Sequence, residues 1–508
     1  MTSQIAKGVD FAVKEFSRKL GGIQPEHNVR DRPDGEFLIF QFALPTERLY
    51  AALESVIESL PKDSPFINRI AITRRHRKPA NVVSMPETRM LQKELSESLT
   101  VDRHTFGDDF FSRYISSVND FEQNIVGNAN FVVFGRRGSG KSSLLAYAMH
   151  MASRASSPFA WIALQTYAGR NDDAAIASVL SEVMNELSEF DVSGSAFGSL
   201  SEAFTEIALA PLSKKTHNKI LRLLPEARKA VGKLTSRANP LTVFLDDLHV
   251  LGTSLQSRLL SSLYAITRGN HAYIKASGIE QFTSVWDSST RQGLEPPHDV
   301  QVLKLDHNLT MPDRSQAHIV SILDAHARYC GLPDIRYLAG DDVLSRLVLS
   351  AAAVPRDALS LFSQAITKSS VRGQKAVTVT AINAAASETI EEKLRDIERD
   401  ADSQDDAALR DMLDRLKDFC VRKKKVNAFL VKIDSRSSDY NVIQKLIALR
   451  FVHILHEGIT PHRAGERYIA LMLDFGFYIG IRASRNVKLF MDIPKVLAAK
   501  DLRKLPIF

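Results

Sequence analysis

Cysteine is scarce in this 508-residue chain, with only Cys330 and Cys420 present. Two thiols cannot build a disulfide framework or a cysteine-rich zinc module, and the usage fits a reducing compartment in which each serves as a small buried apolar group. Long apolar runs are missing as well. No stretch reaches the roughly 18 residues of a membrane-spanning helix, and the opening MTSQIAKGVDFAVKEF lacks the apolar segment of a secretory leader. A cytoplasmic chain with no membrane partner is therefore expected. The 14 histidines include no H-E-x-x-H and no tight metal spacing, and G-x-S-x-G does not occur, so zinc-peptidase and serine- or cysteine-hydrolase chemistry has no foundation. Fixed-period repeats and low-complexity tracts are also absent, which excludes solenoids and propellers.

What is present is the composition of a folded protein, 44% apolar and 25% charged with a mean hydropathy of −0.12. At about 150 residues per domain the length allows about three domains. The formal charge of +7 is unevenly spread. From Asp411 to Phe508 there are 19 Lys and Arg against 10 Asp and Glu, a net +9, so the preceding 410 residues are near neutral at −2. The basic character belongs to the last fifth.

Near the N-terminus LYAALESVIESL (49–60) has helical spacing and EFLIFQFAL (36–44) reads as a strand. Arg69, Arg74, Arg75, Arg77 and Lys78 then cluster in what is expected to be a solvated loop, with phosphate binding the sharper alternative, and PANVVSMPETRM (79–90) reads as a linker. A helical lead-in is expected over Phe110 to Ile125. Five short apolar runs follow, alternating with helical segments: FVVF (131–134), FAWIALQ (159–165), LTVFLDD (241–247), AYIKAS (272–277) and VQVLKL (300–305). Continuous apolar strands between helices indicate a parallel sheet covered on both faces. Further helices include HIVSILDAHARY and the run through VPRDALSLFSQAI, and the charge-dense 391–411 reads as a connector. Beyond it come a helix, the strand NAFLVKI, a helix running into a strand (440–455), the turn-rich HEGITPHRAGE and the strand-like RYIALMLDFGFYIGI.

Gly135 to Ser143, GRRGSGKSS, lies between the strand FVVF and the helical run LLAYAMHMA. It matches G-x-x-x-x-G-K-[ST] in the required strand, loop, helix context. Gly135, Gly138 and Gly140 permit the tight turn that aims successive N–H groups and a helix N-terminus at phosphates, with Arg136, Arg137, Ser139 and Ser143 completing the loop. Lys141 would reach the β- and γ-phosphates of ATP and Ser142 would offer its hydroxyl to Mg²⁺. The strand LTVFLDD ends in two carboxylates. Asp246 stands where the Walker B acid holds Mg²⁺, and Asp247 where the water-polarising acid stands, one methylene shorter than glutamate. Slow or partner-completed hydrolysis is the expectation.

These sequences resemble the AAA+ division of P-loop ATPases over roughly Asn128 to Ile366. The resemblance implies a γ-phosphate-sensing role for Ser277, whose alternative is a strand-end serine bonding backbone. It implies a trans-acting catalytic role for Arg291, against a plain surface arginine, with Arg268 a weaker candidate. VPRDAL is similar to the lid of the origin-recognition and replication-initiator branch, which implies a sensor role for Arg356, against mere pairing with Asp357, and a following winged helix. The implied plan is an N-terminal α/β domain (1–90), a linker and lead-in (91–127), a five-stranded parallel AAA+ core (128–306), a helical lid (307–390), a connector (391–411), a winged-helix domain (412–486) and a basic tail (487–508).

The candidate recognition helix, YNVIQKLIAL, carries only Lys445 as a strong cation. The others surround it: Arg422, Lys423, Lys424, Lys425, Arg450, Arg463, Arg467, Arg482, Arg485 and Lys488. Phosphate-led DNA contact with weak sequence preference is expected, protein packing being the alternative. His453, His456 and His462 are expected at the surface or at a partner contact. The leading expectation is an ATPase assembling with itself or a partner ATPase on DNA, in DNA maintenance, a mobile element or anti-phage defence. A switch similar to the STAND ATPases, controlling an effector protein, suits the two aspartates. A nucleotide-dependent adaptor with negligible turnover is the third reading.

Overall fold

The computed structural model describes residues 3–33, 35–101, 105–191, 196–211, 216–305, 312–399, 404–434, 436–460, 466–479 and 499–508. They form two compact units, one from the described residues of 1–100, 113–115 and 308–508, the other from those of 101–112 and 116–307.

The first unit opens with helix α1 (Ser3–Lys19), strands β1 (His27–Arg32) and β2 (Gly35–Phe42), helix α2 (Glu47–Ser59), strand β3 (Ile70–Arg74) and helix α3 (Pro86–Glu97). β2 is central, antiparallel to β1 and parallel to β3. Its alternate residues Leu38, Phe40 and Phe42 are fully buried, and Phe16 of α1 lies 4.5 Å from Phe40, ring to ring. The basic cluster is not a solvated loop throughout. Arg75 is 7% exposed, and its guanidinium donates to Glu87, itself fully buried, at 2.8 Å and to Glu26 at 2.6 Å. Lys78 sits over the Tyr337 ring at 4.6 Å. The supposed linker at 79–90 is packed too, because Val82, Val83, Met85 and Met90 supply buried apolar surface and Pro86 starts a helix.

The second unit begins with two single-turn helices, α4 (Asp108–Phe111) and α5 (Glu122–Ile125), where a longer lead-in helix was expected. Its sheet comprises β4 (Phe131–Phe134), β5 (Phe159–Ala163), β6 (Leu241–Asp246), β7 (Ala272–Gly278) and β10 (Gln301–Lys304), in the order β10-β4-β7-β6-β5 and parallel throughout. All five expected strands are present. α6 (Lys141–Arg154) packs on β5, β6 and β7, α7 (Asp172–Ser188) on β5, and α10 (Thr253–Thr267) on β7. Helices α8 (Ala196–Leu209) and α9 (Thr216–Leu234) fill the stretch before β6, and the two-residue strands β8 (Trp286–Asp287) and β9 (Gln292–Gly293) make a hairpin before β10.

One residue interrupts the apolar sheet. Lys275 is 3% exposed and in register with Phe131 of β4 and Phe244 of β6, and burial pushes its ammonium down to about 8. An unfolded chain holds that proton more tightly, so stability should rise with pH from about 8 to the ordinary lysine range. Lys275→Met should raise stability at neutral pH by roughly 3 kcal/mol, at about 1.4 kcal/mol per pH unit of displacement. Urea unfolding at pH 7 and pH 10 checks this, since the gain must shrink at the higher pH.

The first unit resumes with α11 (Pro312–Tyr329), α12 (Asp341–Ser350), α13 (Pro355–Val371) and α14 (Val379–Arg399). Leu323, Leu344, Phe362 and Ile382 share one core with Phe16, Phe40, Val83 and Leu91, and α3 packs on α13. The N-terminal elements and helices α11 to α14 are thus built around common apolar side chains. α14 runs through the first part of the expected connector, and α15 (Gln404–Lys417) takes up its far end. Then come a π-helical turn (Asp418–Lys423), β11 (Ala428–Lys432), α16 (Ser438–Ala448), β12 (Val452–Ile459), β13 (Tyr468–Leu473) and α17 (Ala499–Leu502), with an antiparallel sheet ordered β11-β13-β12. The expected strand 467–481 stops at Leu473 and turns into a 3-10 helix at Phe475–Tyr478.

Of the expected basic tail (487–508) the structure describes 499–508, where Arg503 and Lys504 are exposed and the last residues meet β11. Leu430 N–H donates to Pro506 O at 2.8 Å, Phe508 N–H donates to Leu430 O at 2.9 Å, and the Phe508 ring packs against Phe419 and Phe429. His453 is likewise internal, 2% exposed and 2.8 Å from the Asp474 carboxylate, while His462 lies outside the described residues. Cys330 and Cys420 are both buried, as their rarity suggested; burial pushes both thiols up, that of Cys420 to about 12. Among the described residues no helix is long and apolar enough to cross a membrane.

Candidate functional site

The site lies at the carboxyl edge of the parallel sheet, the edge where open α/β sheets bind ligands. β4 is buried over its whole length and delivers the chain into Gly135. A Cβ at Gly135 would overlap Ser139 Oγ, so a larger residue there would force the serine hydroxyl to move. Gly138 (φ 79°) and Gly140 (φ 95°) take the left-handed conformation that glycine adopts without a Cβ clash. Gly140 caps α6 with no side-chain hydrogen bond, leaving the first amides of a 14-residue helix to meet an anion. Ser139 Oγ is buried and has no hydrogen-bond partner among the described residues. Lys141, also buried, donates from Nζ to Arg136 O at 3.1 Å across the loop, Arg137 is exposed, and Ser143 is half-buried on the first turn. A closed cradle with one orphaned hydroxyl, an uncapped helix start and an inward lysine fits a polyphosphate.

The acids meet this loop through β7, which lies between β4 and β6. Ser142 Oγ donates to Asp246 Oδ1 at 3.0 Å, and Ser277 Oγ of β7 donates to the same oxygen at 2.6 Å. Asp247 N–H in turn donates to Ser277 Oγ at 2.8 Å. Ser277 is fully buried and ties the two aspartates together. Its hydroxyl bonds the neighbouring strand, rather than the backbone of its own strand end. Burial and the adjacent Asp247 push the Asp246 carboxyl above the usual carboxylate range, against the hydroxyls of Ser277 and Ser142 and the Lys141 ammonium. A hydroxyl and a carboxylate at hydrogen-bond distance suit Mg²⁺, which takes one or two protein oxygens beside phosphates and water. Among the described residues there is no cluster of three or more acids, histidines or cysteines able to hold a metal.

Asp247 has φ 60°, rare for a residue with a Cβ, and its half-exposed carboxylate stands 3.7 Å from Nδ1 of His249. Burial, assisted by the Lys141 and Arg137 charges and opposed by Asp247, pushes His249 down to about 4. His249 escapes a reading by motif, because only the 3-10 turn Leu248–Val250 returns its ring to the site.

The candidate arginines come from other elements. Arg291 is exposed, with φ 54°, in the β8–β9 hairpin, whose turn is held by Asp287 accepting from Ser289 Oγ at 2.7 Å and Thr290 Oγ1 at 2.8 Å. Those bonds pull the Asp287 carboxyl down to about 2. Arg268 lies 5.4 Å from the Tyr264 ring. Arg356 belongs to the first unit, exposed on the first turn of α13, just after Ala352 and Ala353, which both have positive φ. It is not the partner of Asp357, whose carboxylate is taken by Arg450.

Arg450, of the candidate DNA-contacting set, is thus half-buried and paired with Asp357. Arg422 and Lys423 both lean on Asp418, at 3.7 Å and 2.9 Å. Lys445 is half-buried, Lys424, Lys425 and Arg467 are exposed, and Arg463, Arg482, Arg485 and Lys488 lie outside the described residues.

No family model and no curated protein matches the chain. Solved structures similar to it include that of Drosophila ORC bound to DNA, at 13% identity over 81% of this chain and 95% of that one with a TM-score of 0.39. The Aeropyrum pernix ORC1 protein in complex with DNA is 15% identical over 76% of this chain and 95% of its own, with a TM-score of 0.41. A Walker-type ATPase of Pyrococcus abyssi is 14% identical over 82% and 99%, with a TM-score of 0.37. The chain is thus similar to ORC structures and to a Walker-type ATPase, at identities of 15% or less.

Proposed function

We propose that the chain is a Mg-ATP-dependent ATPase of the AAA+ kind that assembles with itself or a partner ATPase on DNA. The observation that carries this reading is the convergence of Ser142 and Asp246, 104 residues apart, at 3.0 Å beside a glycine-built cradle. The loop amides and Lys141 bind and orient the β- and γ-phosphates. Ser142 and Asp246 would hold Mg²⁺, which would neutralise charge on the phosphate oxygens. Asp247 accepts a hydrogen bond from the attacking water and aims it. Arg291, on an exposed hairpin, is free to reach a neighbouring copy, and Arg356 reports the nucleotide to the lid. ATP turnover with and without duplex DNA, on wild type and Lys141→Ala, tests the reading; equal turnover in the two proteins would refute it.

DNA contact rests on the C-terminal excess of positive charge, on a unit whose strand and helix order suits a winged helix. Lys424 and Lys425 carry no ion pair among the described residues, whereas Lys423 is tied to Asp418. Replacing Lys424 and Lys425 by alanine should lower the slope of log affinity against log salt by about 2. Adding Lys423→Ala should change it little. Titration of labelled duplex at several salt concentrations measures this, and no binding by wild type at low salt would sink the DNA proposal.

A further inference from the structure

His249 has no role in the site as built so far, yet its position is closely prescribed. It lies in the single 3-10 turn that leaves the left-handed Asp247, and that turn brings Nδ1 to 3.7 Å from Asp247 Oδ1. The side chain is 7% exposed, and Nδ1 has no hydrogen-bond partner among the described residues. Buried polar atoms are nearly always paired, so Nδ1 is available to bond a neighbouring group of the site. The charged groups that act on the ring are Asp247, Lys141 and Arg137. Two cations and loss of solvent oppose a further positive charge, so the ring is a neutral imidazole. Facing a carboxylate, a neutral imidazole attracts only through N–H, which assigns the proton to Nδ1. The separation exceeds hydrogen-bond length by a few tenths of an ångström, within reach of a small rotation of the Asp247 side chain.

Asp247 needs such help. It is one methylene shorter than the glutamate usual for this task, and what is held is its backbone, the N–H by Ser277 and the C=O by the Val250 N–H. We propose that His249 is a positioning residue whose Nδ1–H holds the Asp247 carboxylate toward the attacking water. The proposal rests on the ATPase reading above.

The test measures ATP affinity and steady-state turnover of the full chain for wild type, His249→Leu, His249→Asn, Asp247→Asn and the double variant Asp247→Asn/His249→Leu. An asparagine amide offers a donor close to the place of Nδ1. Affinity should stay within about twofold in both His249 variants, because the group acts on the reacting water rather than on bound ATP. The kcat of His249→Leu should fall roughly tenfold or more, the usual cost of losing an orienting partner, with KM little changed. His249→Asn should recover to within about threefold of wild type, and the double variant should be no slower than Asp247→Asn alone. Wild-type turnover in His249→Leu, equal losses in the leucine and asparagine variants, or additive losses in the double variant would each overturn the proposal. In those cases turnover that still depends on Lys141 leaves the ATPase reading standing. Wild type that neither binds nor turns over ATP overturns both.

Discussion

Lys141→Ala is expected to abolish measurable ATP turnover and to weaken ATP binding by roughly a hundredfold, while the protein stays folded. The ammonium is buried in the phosphate loop, and a buried charge acts on phosphate oxygens far more strongly than an exposed one. Arg137 is exposed, and the carbonyl of the buried Arg136 accepts the Lys141 Nζ bond. The structural losses include that bond, worth about 1 kcal/mol. The variant should therefore melt within a few degrees of wild type, and calorimetric titration with ATP beside a melting curve separates lost binding from lost folding. A folded variant that binds ATP as wild type does would show that the cradle holds no nucleotide.

Asp246→Asn should do two opposite things. Turnover should fall by roughly a hundredfold to a thousandfold, because the amide retains the shape of the site and loses the charge that holds Mg²⁺. Stability without nucleotide should rise by about 1 kcal/mol. Loss of solvent and the Asp247 charge raise the folded-state pKa of Asp246, so the ionised form subtracts stability. An acid raised in this way stabilises least at neutral pH, and the deficit closes as pH falls through the folded value to the unfolded one. Asparagine removes the deficit, while its carbonyl oxygen can still accept from Ser142 and Ser277. Urea unfolding at pH 7 and pH 4 decides the matter: the advantage of the variant should be present at pH 7 and smaller at pH 4. An equal gain at both would mean that packing, not charge, is responsible.

Much of the second unit was legible in advance because its strands are buried on both faces. FVVF, LTVFLD and AYIKASG are continuous apolar or β-branched runs between helices, and the register pairs Phe131 with Lys275 and Leu245 with Ala276. The loop motif carried its own structural context. The stretch 79–97 read differently because prolines and polar residues suggest a linker, whereas Val82, Val83, Met85 and Leu91 find apolar partners in helices that lie more than 200 residues further on. The terminal residues misled similarly: net charge describes Lys500, Arg503 and Lys504 but not the pairing of Pro506 and Phe508 with Leu430.

By itself the sequence determined the five strands of the parallel sheet, the glycine cradle, and the residue types of Lys141, Ser142, Asp246 and Asp247. These are properties of local spacing, where backbone sterics and strand burial leave few alternatives. Only the tertiary structure decided that β7 stands between β4 and β6, and hence that Ser277 binds both aspartates. It likewise decided that Arg450 belongs to Asp357 and that His249 turns back to Asp247. Such pairings depend on which distant segments share a core, and burial energy summed over whole elements selects them where no local pattern can.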